Sequence, residues 1–519
     1  MWSIRFFNNL YRVYCCLLYS EKIYDGVQEQ SVELDYILPD YYPDIFKLIK
    51  CCIAPTIISS NINGDSLTYE LLADVKILYC SEKDNKLQCI NQKMTYSKTV
   101  QMGANVNKPM VSLIPKADHI NCRVVNQRRI DMRGAVSIKV KITGETTQEV
   151  ICDIFGMNAQ MKKIPVEYAA KKIIENKTIT VNEDVELNMS KPSVSGIVRS
   201  DVILSEPDKK IISNKLVVKG DAEVKVLYTC SDGMETMNFS VPYSQIVDME
   251  GLDENYDCSV NLRLVSCDII ANTNSDGENK LLKCELKIGI RCRAIKTLPV
   301  QLVADAYSTS YPCEYASSKF MIDQPPVSVN EIFQNKTSIE NDDGTIACVY
   351  DVWSTVKNIN IQINSEERSL KISGMLCFSI MIKNENNFPA ILEKEEAFEH
   401  VVENDKITEN SLAEINVEPL GCTYTLTSSN GLSIKTDIRV IGDLFTSSIC
   451  EALTDVKFDD TVKITRDGDY ALKLYYGVEN EDVWNIAKKY CTSVNAIMEE
   501  NSLDSDRLTD NGMLLIPIV

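Results

Sequence analysis

The sequence predicts a mainly β protein in which three tandem β-sandwich-like repeats precede a small module of strand, helix, helix and strand. Apolar and polar residues alternate with a period of two in many segments, for example Ile359 to Ile363. This alternation is typical of antiparallel strands that bury one face. Strand-like landmarks also recur at a nearly constant interval, and the C-terminal residues 468–519 show helical spacing bounded by capping residues.

Residues 1–30 form the first predicted element, an amphipathic helix that packs on the first repeat. Polar residues such as Arg5 and Arg12 interrupt its apolar stretch, which therefore falls short of the roughly 20 apolar residues that span a membrane. The segment also lacks the apolar core and cleavage site of a secretory signal. We therefore expect a cytoplasmic protein that is not secreted, and leave open whether this helix contacts a membrane.

Three repeats of about 150 residues follow, as expected from the recurring landmarks. The segment Ala73–Tyr79 (ADVKILY) reappears as Ala222–Tyr228 (AEVKVLY). A second segment recurs every 148 residues, at Ile138–Ile142, Leu286–Ile290 and Ile434–Ile438. The predicted repeat boundaries are 31–157, 160–316 and 320–457.

Short turns separate the predicted strands within each repeat. Pairs such as Asn63-Gly64 and Asp276-Gly277 are typical of tight hairpins. Similar pairs occur at Asp232-Gly233, Asp343-Gly344 and Asn430-Gly431. Two short helices are predicted inside the repeats, at residues 44–50 and 168–174.

The C-terminal module is predicted from its caps and its apolar stripe. Asp482 can cap a first helix by accepting the free N–H groups of its first turn. Thr492 and Ser493 offer a cap for a second helix, which Asn501 ends. Apolar residues line the first helix at helical spacing, namely Val483, Ile486, Ala487 and Tyr490. A closing strand follows at residues 512–517.

Composition restricts the possible functions. The net charge of −20 at pH 7 argues against nucleic-acid binding, because phosphates require a basic surface. Nineteen cysteines are spread along the chain without a Cys-x-x-Cys pair, and His119 and His400 are the only histidines. We therefore expect reduced cysteines in a reducing compartment, with no metal site and no cofactor.

The C-terminal module resembles the LysM family, which is best known for binding N-acetylglucosamine polymers. The shared pattern comprises Ile486-Ala487, Asn501-Ser502-Leu503 and the closing strand 512–517. At the turn where the family has Gly-Asp-Ser/Thr, this chain has Asn480-Glu481-Asp482. The resemblance implies a βααβ fold, and the altered turn favours a protein ligand over a glycan.

The repeats resemble the SPOCS family of spore-forming bacteria. Leu38-Pro39-Asp40 with Pro43-Asp44-Ile45 matches the opening motif of that family, and Val75–Tyr79 matches its central strand. Tandem SPOCS repeats followed by LysM occur in clostridial coat morphogenetic proteins. The resemblance implies a scaffold for spore coat assembly at the forespore surface, in the mother-cell cytoplasm. By this resemblance its partner is the coat-basement morphogenetic ATPase SpoIVA, with other coat proteins as further possible partners.

Candidate binding residues follow from these resemblances. The partner- or glycan-binding candidates in the module are Leu472, Leu474, Asn480, Glu481, Asp482, Trp484, Asn501, Ser502, Leu503 and Asp504. Trp484 lies one position beyond the apolar stripe, so it either anchors a partner at an exposed rim or covers the edge of a small core. If it is an anchor, a charged residue at Trp484 or Leu472 abolishes partner capture while the module still folds.

Tyr41 and Tyr42 are secondary interface candidates, because a rigid loop can present tyrosines to a partner. The alternative is a structural turn in which Asp44 caps a following helix.

Function is expected to be non-enzymatic, since the chain lacks recognisable phosphate-binding, nucleophile-elbow and zinc-protease motifs. A peptidoglycan- or N-acetylglucosamine-binding protein of the cell wall or cortex is the alternative. An envelope- or phage-like structural component is the third and least favoured hypothesis. The sequence does not decide the oligomeric state or which repeat binds which partner.

Overall fold

A computed structural model describes residues 2–7, 10–81, 86–103, 107–231, 233–342, 344–385, 388–465 and 471–517. Strands dominate these residues, and the two helices both lie in the C-terminal module, so the predicted mainly β fold is confirmed. Asp232 and Asp343, each half of a predicted turn pair, lie outside the described residues. Among the described residues, neither helix has the length or apolar character needed to cross a membrane.

The first repeat is a sandwich of two antiparallel sheets. Its strands are β1 (Trp2–Phe7), β2 (Leu10–Ile37), β3 (Ile45–Asn63), β4 (Ser66–Ser81), β5 (Leu87–Gln101), β6 (Met110–Asn126) and β7 (Arg129–Phe155). One sheet has the order β3-β4-β5, and the other has the order β1-β2-β7-β6. Alternate residues of β4 and β7, including Tyr69, Tyr79, Ile138 and Val140, share the buried core between the sheets.

The second repeat has the same plan with one interrupted edge. Its strands are β8 (Ala159–Glu186), β9 (Gly196–Leu204), β10 (Asp208–Ile212), β11 (Lys215–Cys230), β12 (Gly233–Asp248), β13 (Asp257–Asn272) and β14 (Leu281–Ser308). Both β9 and β10 pair with the same edge of β11, so residues 205–207 interrupt one edge strand. The facing sheet has the order β13-β14-β8.

The third repeat divides its two longest strands into shorter ones. Its strands are β15 (Cys313–Asp323), β16 (Val327–Glu340), β17 (Ile346–Asn364), β18 (Ser369–Asn384), β19 (Pro389–Glu403), β20 (Leu412–Leu426), β21 (Gly431–Phe445) and β22 (Ser447–Phe458). The sheets β17-β18-β19 and β16-β21-β20 form the sandwich, while β15 pairs with β22 beyond it. The sandwiches therefore share one plan, in which β3-β4-β5 faces β2-β7-β6 in the first repeat, β11 and its neighbours face β13-β14-β8 in the second, and β17-β18-β19 faces β16-β21-β20 in the third.

The first and last strands of each repeat extend beyond the sandwich as a two-stranded ribbon. The three ribbons pair residues 11–22 with 143–155, 159–171 with 296–308, and 313–323 with 447–458. Their inner faces pack together, and Ile151, Val303 and Leu453, one from each ribbon, are completely buried there. We call this structure the central ribbon bundle. It gives the three repeats a pseudo-threefold arrangement.

A second apolar cluster joins the sandwiches themselves. Leu78, Leu227 and Met381, one from each repeat, are buried in it together with Trp353. The two clusters hold the repeats against one another at two separate places. Because burial of apolar side chains is the main favourable contribution to packing, the repeats form one connected body.

The predicted N-terminal helix at residues 1–30 is wrong, because residues 2–7 form β1 and residues 10–30 belong to β2. Leu10 and Tyr14 are buried in one apolar cluster of the ribbons, whereas Cys15 and Leu17 are buried in another. Because both faces of β2 are buried here, its apolar residues do not show the simple alternation of a strand with one buried face. The backbone hydrogen bonds of β2 go to β7, which is distant in the sequence.

The two short helices predicted inside the repeats are also wrong. Residues 45–50 belong to β3, and residues 168–174 belong to β8. Both stretches lie next to β-bulges, one between Ile45 and Lys47 and the other between Lys296 and Thr297 on the paired strand. A bulge disturbs the period of two, so a short window through it does not show a clean strand pattern.

The C-terminal module consists of β23 (Leu472–Gly477), α1 (Val483–Lys489), α2 (Val494–Glu500) and β24 (Gly512–Pro517). The predicted caps are confirmed: the carboxylate of Asp482 accepts the Trp484 N–H at 2.9 Å, and the Ser493 hydroxyl accepts the Ala496 N–H. β23 and β24 pair antiparallel. Val483, Ile486, Ala487 and Ile497 are buried between this small sheet and the helices.

Candidate functional site

The C-terminal module packs against the end of the central ribbon bundle. Tyr307, near the end of β14, belongs to the apolar core of the module and is 5% exposed. Its hydroxyl donates a hydrogen bond of 2.6 Å to the carbonyl oxygen of Thr492, in the turn between the two helices. The module is therefore held against the second repeat by a buried contact, which we call the docking contact.

Trp484 lies at the centre of the docking contact. Its side chain is 7% exposed and meets the ring of Tyr307 edge to face, with 4.9 Å between the ring centroids. The indole N–H donates to Asp305 Oδ2 at 2.8 Å. The hypothesis that Trp484 is an exposed anchor for a partner is therefore wrong. The alternative, in which Trp484 packs at the edge of a small core, holds. The surface that it covers belongs to the second repeat.

Two ion pairs surround this aromatic contact. Lys488 Nζ binds both carboxylate oxygens of Asp305, at 2.7 and 2.8 Å. Burial alone lowers the pKa of Lys488, but hydrogen bonds to Asp305 and Tyr315 raise it above its ordinary value. Lys162 of β8 pairs with Asp482. Partial burial raises the pKa of Asp482, yet Lys162 and the Trp484 N–H together hold it below its ordinary value.

Several other predicted binding residues stabilise the module itself. The Asn501 side chain donates to the Leu515 carbonyl oxygen and accepts the Leu515 N–H, both at 2.7 Å, so it fastens α2 to β24. Glu481 accepts hydrogen bonds from the Tyr475 hydroxyl and the Val478 N–H. Leu503 packs against the module core. These side chains, like that of Asp482, already make hydrogen bonds or packing contacts within the chain.

The remaining loop candidates are exposed and lie on two adjacent loops. Asn480 lies between β23 and α1, whereas Ser502 and Asp504 lie between α2 and β24. The Asn480 N–H donates to the Leu508 carbonyl oxygen at 2.9 Å, and this bond holds the two loops side by side. The backbone of Asn480 is in the left-handed region, with φ 66°, so its side chain stands at a sharp turn.

Leu472 and Leu474 lie on an exposed apolar surface of the module. Residues two apart on a strand share a face, and the alternating residues Leu472, Leu474 and Tyr476 are 43%, 68% and 61% exposed. Met513 lies opposite Tyr476 on β24 and is also exposed. Val478 continues the series beyond the strand. We call these five residues the apolar ribbon face.

Sequence reasoning identified two of the five residues of the apolar ribbon face. The alternation from Leu472 through Tyr476 was the available signal for Tyr476. Met513 joins the face only through its pairing with Tyr476 across the two strands.

Exposed acidic residues also occur in the loops of the module, namely Glu479, Asp504, Asp506 and Asp510.

The secondary candidates occupy a turn at the far end of the first sandwich. Arg128 fastens this turn by donating to the carbonyl oxygens of Leu38 and Pro39 and by pairing with Asp44. Tyr42 packs against the core of the repeat, whereas Tyr41 is 80% exposed. The turn interpretation thus holds, although Asp44 precedes a strand and binds Arg128 instead of capping a helix.

Two stretches of the chain match models of protein families. Residues 193–271, which cover about half of the second repeat, match the model described as SipL, SPOCS domain. Residues 478–517 match the LysM domain model. Comparisons with curated proteins and with solved structures give no match. The two domain types fit a sporulation-related adaptor, and the chain therefore combines a SipL-type SPOCS domain with a C-terminal LysM domain.

Proposed function

We propose that this chain is a non-enzymatic scaffold in spore coat assembly and that its LysM module binds the morphogenetic ATPase SpoIVA. The proposed location is the mother-cell cytoplasm at the forespore surface. The apolar ribbon face is the observation that carries the proposal, because it is a group of exposed large side chains on a module whose opposite side is occupied by the docking contact. The SPOCS and LysM matches support the biological setting.

The exposed side chains of this face are suited to protein binding. Contiguous exposed apolar patches on a soluble protein are typical of interaction sites, and large apolar and aromatic residues at the centre of an interface supply most of the binding energy. Leu474 and Tyr476 are adjacent members of the series and are more than half exposed. Leu515 lies opposite Leu474 and extends the apolar surface onto the second strand.

The docking contact also gives the module a defined orientation. Trp484 and Lys488 turn the α1 side of the module toward the second repeat. The apolar ribbon face is left available to a partner. Because the module is held rigidly, binding requires less loss of conformational freedom than it does for a module on a flexible tether.

Leu474→Asp is expected to weaken capture of SpoIVA while the chain remains folded. A charge at the centre of an apolar interface should cost about 2 kcal/mol or more, or roughly a 30-fold loss of affinity. Binding of purified SpoIVA to the full chain, measured by surface plasmon resonance, tests this result. Leu426→Asp is the matched control, since Leu426 is a similarly exposed leucine on β20 of the third repeat.

Retention of full affinity by Leu474→Asp excludes the apolar ribbon face as the SpoIVA site. Equal loss in both variants points to a general effect of added negative charge. Circular dichroism and the elution volume in gel filtration establish that both variants remain folded.

Binding to peptidoglycan is the second candidate function, favoured by the LysM match and by the exposed loop residues Asn480, Ser502 and Asp504. Co-sedimentation of the full chain with purified sacculi or chitin tests it. If the loops bind glycan, Asn480→Ala together with Asp504→Ala lowers the sedimented fraction, whereas Leu474→Asp leaves it unchanged. The two functions therefore depend on different surfaces of the same module.

A further inference from the structure

Each of the three sandwiches has a contact between two edge strands of its facing sheets, namely β3 with β6, β9 with β13, and β17 with β20. In the third repeat, Cys422 Sγ of β20 lies 3.3 Å from Ser354 Oγ of β17. In the second repeat, Ser200 of β9 lowers the pKa of Cys267 of β13. In the first repeat the corresponding partners are both cysteines, namely Cys51 of β3 and Cys122 of β6. Among these three described contacts, the one in the first repeat therefore pairs two thiols.

Cys51 and Cys122 join strands that belong to different sheets. β3 is the edge strand of one sheet and β6 that of the other, and their Cα atoms approach within 8 Å. Both side chains are partly buried against the core of the repeat, and each thiol shifts the pKa of the other. The Ile45 N–H at the start of β3 donates to the Gln127 carbonyl oxygen just after β6 at 2.8 Å, so Cys51 and Cys122 lie at similar distances along the chain from this bond. A bond between their sulfur atoms would connect the two sheets across an edge that has no backbone pairing.

Two other thiol pairs differ from this one. Cys152 raises the pKa of Cys15, and Cys267 raises the pKa of Cys284. The first pair lies on β2 and β7, and the second lies on β13 and β14. In both cases the two strands are already joined by backbone hydrogen bonds. Cys15, Cys152 and Cys284 are also buried, which restricts access by an oxidant.

The environment of Cys122 favours its reactive form. The neighbouring Cys51 thiol lowers the pKa of Cys122, whereas the Cys122 thiol and burial raise the pKa of Cys51. The thiolate is the nucleophilic form of cysteine. Cys122 therefore serves as the attacking thiol, and Cys51 is positioned as the resolving thiol.

We propose that Cys51 and Cys122 form a peroxide-sensitive disulfide site that covalently closes the edge of the first sandwich. The Cys122 thiolate attacks a hydroperoxide, so that an S–O bond forms, the O–O bond breaks and a sulfenic acid results. The Cys51 thiol then condenses with this sulfenic acid and releases water. With hydrogen peroxide, two thiols and one peroxide yield one disulfide and two waters.

Oxidation of the reduced full chain with hydrogen peroxide tests the proposal. Remaining thiols are alkylated, and peptides are mapped by mass spectrometry without reduction. The expected result is a linked peptide pair containing Cys51 and Cys122, formed earlier than any link at Cys15 or Cys284. Cys51→Ser removes the link and leaves Cys122 as a sulfenic acid that a dimedone probe detects.

The third repeat supplies a gain-of-function test. Ser354→Cys places a second thiol against Cys422, in the contact that the first repeat already has. This variant is expected to acquire an additional linked peptide between positions 354 and 422 on oxidation. Continued alkylation of both Cys51 and Cys122 in the peroxide-treated wild type would overturn the proposal, and so would their linkage to other cysteines instead of to each other.

Discussion

Tyr307→Ala is expected to release the LysM module from the central ribbon bundle while the module stays folded. The substitution removes the ring that packs on Trp484 and the hydroxyl that binds Thr492. Loss of a buried aromatic side chain costs about 3 kcal/mol or more. Trypsin should then cleave the variant faster at the exposed Lys463, which precedes the module, and hydrogen exchange should still protect the amide of Ile497.

Tyr476→Ala is the matched control for this experiment. It removes the same side chain from the apolar ribbon face, on the other side of the module, and should leave the cleavage rate unchanged. Asp305→Asn should have an intermediate effect, because the amide still accepts the Trp484 N–H but no longer carries the charge that pairs with Lys488. An unchanged cleavage rate for Tyr307→Ala would mean that the docking contact contributes little to holding the module.

Lys225→Met is expected to destabilise the packing between the second and third repeats. Lys225 of β11 pairs with Asp351 of β17, whose side chain is only 2% exposed. Without Lys225 the carboxylate is buried and unpaired, which costs about 3 kcal/mol. Urea unfolding at pH 7, followed by tryptophan fluorescence, should show a lower midpoint. Replacing both residues, as Lys225→Met with Asp351→Leu, should recover most of the loss.

The effect of Lys225→Met should depend on pH. Burial raises the pKa of Asp351 above its ordinary value of 3.8, and Lys225 opposes this shift. Well below pH 3.8 the carboxyl is protonated in both the folded and unfolded states, so its ionisation costs nothing. The cost accumulates as the pH rises from the unfolded-state pKa to the raised folded-state pKa, and it is complete above the folded-state pKa. The stability difference from wild type should therefore be larger at pH 7 than at pH 4.

Lys371→Met separates this effect from the general loss of a lysine. Lys371 pairs with Glu399, and both side chains are about half exposed, so this pair should contribute less than about 1 kcal/mol. A similar midpoint for Lys371→Met and Lys225→Met would show that burial of Asp351 does not control the result.

Local sequence patterns predicted the repeated strands and the small module because the required information lies within a few neighbouring residues. The alternation in β4 and β11 assigns their buried faces directly, as the burial of Val75 and Val224 illustrates. The caps Asp482 and Ser493 act on N–H groups two and three residues away. The N-terminal segment was predicted wrongly from its local pattern, because both faces of β2 are buried there, with Tyr14 in one cluster and Cys15 in another.

Alternation and caps are local, so they were enough to predict a mainly β chain, a repeated body and a C-terminal βααβ module. The central ribbon bundle and the burial of Trp484 depend on contacts between distant segments, which are visible in the folded chain and not in any local pattern. Trp484 meets Asp305, 179 positions away, and no local pattern specifies such a partner. That contact buries one side of the module and leaves Leu474 and Tyr476 exposed on the other, which is why the proposed binding surface moves from the tryptophan to the strand.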